Sequence, residues 1–207
     1  MTNGTKRYLE TITYLAKLYE FVNLELFKCE LQRPVITVQT DERNRAYGWF
    51  TVRKVWTENG QDDGEYEINM SAQFLNRSVN EIAATMIHEM CHQYALQHNI
   101  QDCSRGNTYH NKMFKKIAEE HGLNVERVDK IGWSKTTLTE KTERLISSFV
   151  TSNPETLIYR APTMKGQSVK TSSTRKYVCD CCGNSVRATK AVNILCLDCD
   201  VPMRVEE

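Results

Sequence analysis

Apolar residues recur at helical spacing over residues 6–27, at Leu9, Ile12, Leu15, Ala16, Tyr19, Val22 and Leu26. Such a stripe predicts an amphipathic helix with one face on a core. Pro34 ends it. Three strand-like runs follow: VITVQT at 35–40, RAYGWFTVR at 45–53 and EYEINMS at 65–71. Asn59-Gly60 and Asp63-Gly64 separate the last two with turn chemistry. A small three-stranded sheet behind a helix is the expected arrangement. The run at 65–71 is expected at its edge, where an extended peptide can pair through its main chain.

The next helix is announced by Ser78-Val79-Asn80-Glu81, a capping box that satisfies free amides of the first turn. Its buried stripe is Ile82, Ala83, Met86, Ile87, Met90 and Tyr94. A further helix is predicted from about Thr108, with Met113, Phe114, Ile117 and Ala118 inward. Gly122 stands where a left-handed cap belongs. Beyond Trp133 the composition changes. TTLTEKTERLISSF at 136–149 suggests a short helix, and 151–176 is rich in Ser, Thr and Lys. The organisation read from this is a domain over 1–133, a helix and basic linker over 134–176, and a small module over 177–207.

Composition sharpens the class. The chain has 207 residues, 40% of them hydrophobic and 26% charged, too apolar for disorder. No apolar run approaches the roughly 18 residues of a membrane-spanning helix. The N-terminus lacks the apolar stretch of a secretory signal, so a cytoplasmic protein without a membrane partner is expected. Eight cysteines then need explaining, and five of them crowd into 179–199. Reduced thiols, some on metal, fit an intracellular chain better than disulfides.

His88-Glu89-Met90-Cys91-His92 is an HExxH motif inside the capped helix. Histidines four apart project from one helical face and can share an ion. Zinc takes imidazole nitrogen and leaves a position for water, and Glu89 stands where it can accept that water's proton. The third ligand is less determined. His98, six residues past His92, would point about 120° away and sit about 9 Å along a continuing helix, which makes it poor. His110 follows a polar, reversible connection and is favoured over Glu119 and Glu120, while His121 sits too far along its helix. Tyr94 and Tyr109 are expected to pack rather than stabilise an oxyanion.

Cys179-x2-Cys182 and Cys196-x2-Cys199 are separated by 13 residues, the pattern of a zinc ribbon with four thiolates on a structural ion. Cys181 is then a spare thiol. From Arg160 to Lys190 seven basic residues face one acid, a local +6 in a chain of net +1. Two readings stay open for this segment: a nucleic-acid contact helped by Tyr159 and Tyr177, or a solvated linker.

MIHEMCHQY followed by HNKMFKKIAEEHGL resembles the SprT-like (SprT/Spartan) zinc metalloproteases. Asn23, Leu26-Phe27, Leu31 and Ala46-Tyr47-Gly48 extend the likeness, which covers about residues 8–133 and returns in the terminal cysteines. The resemblance implies an α+β, zincin-like protease domain of N-terminal helix, three-stranded sheet, HExxH helix and following helix, ending in a zinc ribbon. It implies His88, His92 and His110 as zinc ligands and Glu89 as the base that activates a zinc-bound water. It further implies a protein substrate, DNA as a partner through the basic linker and ribbon, and a place in DNA repair. Asn111, where many relatives have glycine, and a longer connection between His92 and His110 are departures. The alternative is a catalytically silent nucleic-acid-binding or regulatory zinc protein.

Overall fold

The computed structural model describes residues 2–40, 46–58, 64–161 and 174–206. It is mixed α+β and divides into two units, Met1–Pro162 and Thr163–Glu207. Helix α1, Asn3–Phe27, opens on the Thr2 side chain, which accepts from the Thr5 amide, and closes on Lys28 in the left-handed region. Its inward face buries Leu15, Leu18, Tyr19 and Val22.

Strands β1 (Val35–Thr37), β2 (Gly48–Phe50) and β3 (Glu67–Met70) form the expected three-stranded sheet. The order is β1-β3-β2, so the 65–71 run is the centre and not the edge. Its polar residues look outward by alternation, yet Glu67 and Asn69 are buried. The cause is a cover of tryptophan: the indole N–H groups of Trp49 and Trp56 donate to the Glu67 carboxylate at 3.2 and 2.8 Å. Among the described residues β2 is an edge strand of this sheet, as β1 is on the other side of β3. Tyr47 and Thr51 hydrogen-bond into β3 through Ser71 and Glu67, and the antiparallel alternation turns the polar groups of Gly48 and Phe50 outward. The Asn59-Gly60 turn lies outside the described residues, as does Asp63.

Helix α2, Val79–Gln97, has the full capping box. Its far face is pinned by Gln93, which accepts from Tyr19 Oη (3.0 Å) and donates to the Gln32 carbonyl (2.6 Å). Two short strands follow, β4 (Cys103–Ser104) and β5 (Tyr109–His110), then α3 (Lys112–Glu120), β6 (Leu123–Val128), β7 (Gly132–Leu138) and α4 (Glu140–Ser152). The helix expected near Thr108 therefore starts at Lys112. Asn111 is the reason, because its side chain accepts from the Met113 and Phe114 amides and makes it the cap. His110 accordingly lies in a strand. A second sheet, β4-β5-β7-β6, was not expected.

Residue 133 lies inside β7, and α4 buries Ile146 and Phe149 in the same core as α1 and α2, so this unit runs past the boundary expected there. Gly122 takes the predicted left-handed turn at φ +87°, where an added Cβ would stand 2.3 Å from Thr142 Oγ1. Gly122→Ala should therefore lower stability by about 1–3 kcal/mol, a several-degree fall in melting temperature. Gly106→Ala, at φ +63° but with open space around it, should cost less than half of that.

In the second unit β8 (Arg175–Val178), β9 (Ser185–Ala188) and β12 (Arg204–Glu206) make one small sheet, and β10 (Leu195–Cys196) and β11 (Val201–Pro202) another. No described helix is long and apolar enough to cross a membrane.

Candidate metal centre

Two turns of α2 and one short strand bring three imidazoles together. His88 and His92 share a face of α2, and β5 carries His110, whose amide donates to the Ile131 carbonyl at 3.0 Å. His110 Nε2 lies 3.1 Å from His88 Nε2 and 3.2 Å from His92 Nε2. Phe114, fully buried one turn into α3, is the floor: its ring centre is 4.6–4.7 Å from all three imidazoles.

The outer nitrogens decide what the inner ones can do. His92 Nδ1 donates to Asp102 at 2.5 Å, and His110 Nδ1 donates to the Ile131 carbonyl at 3.2 Å. His88 Nδ1 meets the Thr136 hydroxyl at 3.1 Å. A carboxylate and a carbonyl only accept, so His92 and His110 carry their protons on Nδ1 when neutral. Their Nε2 lone pairs then face each other with no hydrogen between them. A cation is the partner that resolves this.

Zinc–nitrogen bonds of 2.0–2.1 Å at the tetrahedral angle place ligand nitrogens about 3.3 Å apart, close to what is seen. The residues fit zinc. A second grouping, His92 with Asp102 and Cys103, competes for His92. Its 2.5 Å nitrogen–oxygen contact is a hydrogen bond with no room for an ion between the atoms, so Asp102 orients and does not ligate.

Charge follows the same pattern. Burial, then the neighbouring imidazoles, push His88 well below the usual histidine range. Burial and His92 bring His110 down to about 4. Burial would also lower His92, but the Asp102 hydrogen bond, with Cys103 and Glu89, outweighs it and lifts the group to about 10. His92 is thus where positive charge is most welcome, whether a proton or a metal supplies it. Asp102→Asn should weaken zinc binding about 10–100-fold in a chelator competition, with the fold intact.

Glu89 is 7% exposed. Burial raises its carboxyl to about 7 against the opposing pull of His92 and the Phe50 backbone amide. That amide comes from β2, so the edge strand lies against the carboxylate. Gly48 makes the approach possible: a Cβ there would stand 2.8 Å from the Asn69 carbonyl and 3.4 Å from Glu89 Cγ.

The other candidates lie elsewhere. His98 ends α2, 3.7 Å from Glu30, with its ring on Tyr94. His121 caps α3 and stacks on Phe27 at 4.1 Å. Glu119 and Glu120 pair with Lys115 and Lys116 at the surface. Tyr94 packs on Phe27 and His121, and Tyr109 lies under the Arg105 guanidinium. Asp102 was expected only within a polar connection and Thr136 within a short helix, whereas Thr136 lies in β7, and no sequence pattern singles out Ile131. An acid ten residues past a ligand histidine was the one available signal.

In the second unit the sulfurs of Cys179, Cys182, Cys196 and Cys199 all lie within 4.8 Å of one another. Cys182 and Cys196 are 3.6 Å apart, near the roughly 3.8 Å of a tetrahedral site with 2.3 Å zinc–sulfur bonds. Two reversals build the pocket: the Gly183 amide donates to the Cys179 carbonyl, and the Cys199 and Asp200 amides donate to that of Cys196. The Cys182 amide, against the opposing effect of burial, helps draw the Cys179 thiol down to about 7. Cys181 is exposed and outside the group.

No curated protein and no solved structure matches the chain. The sequence model of the SprT-like family matches residues 15–142, from within α1 to the start of α4 and across all three histidines. With that match over more than half of its length, the chain belongs to the SprT-like family.

Proposed function

We propose that this chain is a zinc metalloendopeptidase with a zincin-like catalytic unit and a C-terminal zinc ribbon, acting on protein substrates that include proteins held on DNA. The convergence of three Nε2 atoms beside a buried carboxylate held by the Phe50 amide carries the reading. His88, His92 and His110 would hold one zinc and the four cysteines another. A zinc ion between the imidazoles supplies Lewis acidity, polarising a peptide carbonyl and lowering the pKa of a water.

The chain's own groups do the rest. Glu89, with its carboxyl raised towards neutrality, takes a proton from the attacking water and returns it to the leaving amine. Phe50 N–H holds that carboxylate in place from β2. The outward polar groups of Gly48 and the outward carbonyl of Phe50 offer an extended peptide a main-chain partner alongside Glu89, whatever its sequence. Asp102, Thr136 and the Ile131 carbonyl keep the three rings turned inward.

The DNA part rests on charge. Among the described residues Arg175, Arg187 and Lys190 carry no ion pair, whereas Lys176 pairs with Glu206. Lys165 and Lys170 lie outside the described residues. The test is digestion of an unfolded protein such as casein, with zinc, with chelator and with added single-stranded DNA. Cleavage is expected with zinc, is lost with chelator and rises when DNA is present. A zinc-loaded chain that cuts nothing in any of these mixtures would instead favour a silent binding protein.

A further inference from the structure

Arg77 is half-buried just before α2, and its charge has no assigned use. Its Nε donates to the Phe74 carbonyl at 2.9 Å, Nη1 to the Glu81 carbonyl at 3.4 Å and Nη2 to Thr85 Oγ1 at 3.1 Å. Three of the five guanidinium N–H groups are thereby engaged and two remain. Among the described residues no carboxylate pairs with it. Glu81, the nearest acid by charge, is taken up by the Ser78 hydroxyl and amide at 2.7 and 3.0 Å. Burial accordingly presses the Arg77 pKa down. A cation kept partly out of water by carbonyls, a hydroxyl and an aromatic ring, with no paired carboxylate among the described residues, is stabilised when an anion arrives.

Its position says which anion. The guanidinium lies 4.1 Å over the ring of Tyr47, which is 53% exposed and braced edge-on by Phe74. Tyr47 immediately precedes β2. Thr85, which Arg77 touches, is one helical turn before Glu89, and a Cβ on Gly48 would meet both residues. The Arg77–Tyr47 pair thus sits at the head of the edge strand on which an extended peptide would lie. From Tyr47 to Phe50 the strand covers about 10 Å, or about three residues of a paired chain.

We propose that Arg77, presented on Tyr47, is a specificity-determining residue that binds an acidic side chain of the substrate about two to three residues from the bond cleaved. The proposal rests on the peptidase reading above. It selects acid-containing segments of protein as the preferred substrate. The flat guanidinium, held at its back and stacked on a ring, matches a planar carboxylate approaching along β2.

A mixed peptide library digested by the zinc-loaded full chain, with the cut sites read by mass spectrometry, tests this. The expected profile is Asp and Glu enriched about tenfold over Asn and Gln at one subsite. Arg77→Gln should flatten the enrichment to about onefold, Arg77→Lys should keep part of it, and cleavage of acid-free peptides should stay within about threefold. No acid enrichment in the wild type, or enrichment unchanged in Arg77→Gln, overturns the proposal and leaves the peptidase reading standing.

If the wild type cuts nothing, the peptidase reading fails instead. Anisotropy with zinc-loaded Glu89→Gln and a labelled extended peptide bearing a central Glu, beside its Gln twin, then decides on Arg77. Binding about tenfold tighter for Glu, lost on adding Arg77→Gln, supports the assignment. Equal binding of the twins, or Arg77-dependent binding of a single-stranded oligonucleotide in their place, overturns it.

Discussion

Glu89→Gln should reduce peptide cleavage about 10²–10⁴-fold while the melting temperature and zinc content stay at wild-type values. The expectation comes from the surroundings of the carboxylate. Glu89 is buried one residue from His88, the Phe50 amide donates to it, and no Lys or Arg pairs with it among the described residues. An amide of the same shape keeps the Phe50 contact, fits the same space against Gly48, and cannot take a proton. The variant separates proton transfer from metal binding because Glu89 is not one of the three converging residues. A fall in zinc content alongside the fall in activity would assign Glu89 a structural task instead.

The second large effect is expected in the C-terminal unit. Among its described residues only Tyr177, Cys179 and Cys196 are buried side chains of apolar character. A segment of 45 residues with so small a core does not fold on burial alone. Structural zinc sites contribute on the order of 10–16 kcal/mol to the folding of such modules. Cys196→Ser removes the thiol 3.6 Å from Cys182 and should cost the unit its metal and its fold together. The measurable outcomes are a loss of one zinc per chain and rapid tryptic cutting within 175–206, with the histidine centre still loaded. Cys181→Ser, which changes a thiol outside the group, should leave both zinc content and protease resistance unchanged.

What could be read in the sequence divides along the range of the interactions. His88, Glu89 and His92 were legible because the motif and the capping box that fixes its helix are local. His110 was legible as the best remaining imidazole after a reversible connection, although it lies in β5 and not in a helix. The features that orient the rings were not. Thr136 reaches His88, and the Ile131 carbonyl reaches His110, because β7 runs beside β5 and α2, a pairing no local pattern announces. The hairpin of β6 and β7 has no apolar alternation to announce it, since NVER is mostly exposed and the half-buried positions of SKTT are the polar Ser134 and Thr136. The mistaken edge has the opposite cause. EYEINM alternates as a half-exposed strand should, but β1 and β2 pair with it on both sides and the Trp49 and Trp56 indoles close over Glu67, neither of which is a local signal.

The two candidate metal sites also account for different shares of the cysteines. Four thiols gather in the second unit, while Cys91 and Cys103 are buried near the histidine centre and Cys29 is exposed. Cys103 lies 4.0 Å from His92 Nδ1, behind the Asp102 contact, where it adds a weak acceptor and no ligand.

Anomalous diffraction recorded at the zinc edge from crystals of the full chain tests the central claim most directly. One peak is expected bounded by the Nε2 atoms of His88, His92 and His110, and a second among Cys179, Cys182, Cys196 and Cys199. A peak between His92, Asp102 and Cys103, or a histidine cluster without any peak in zinc-loaded protein, would contradict it.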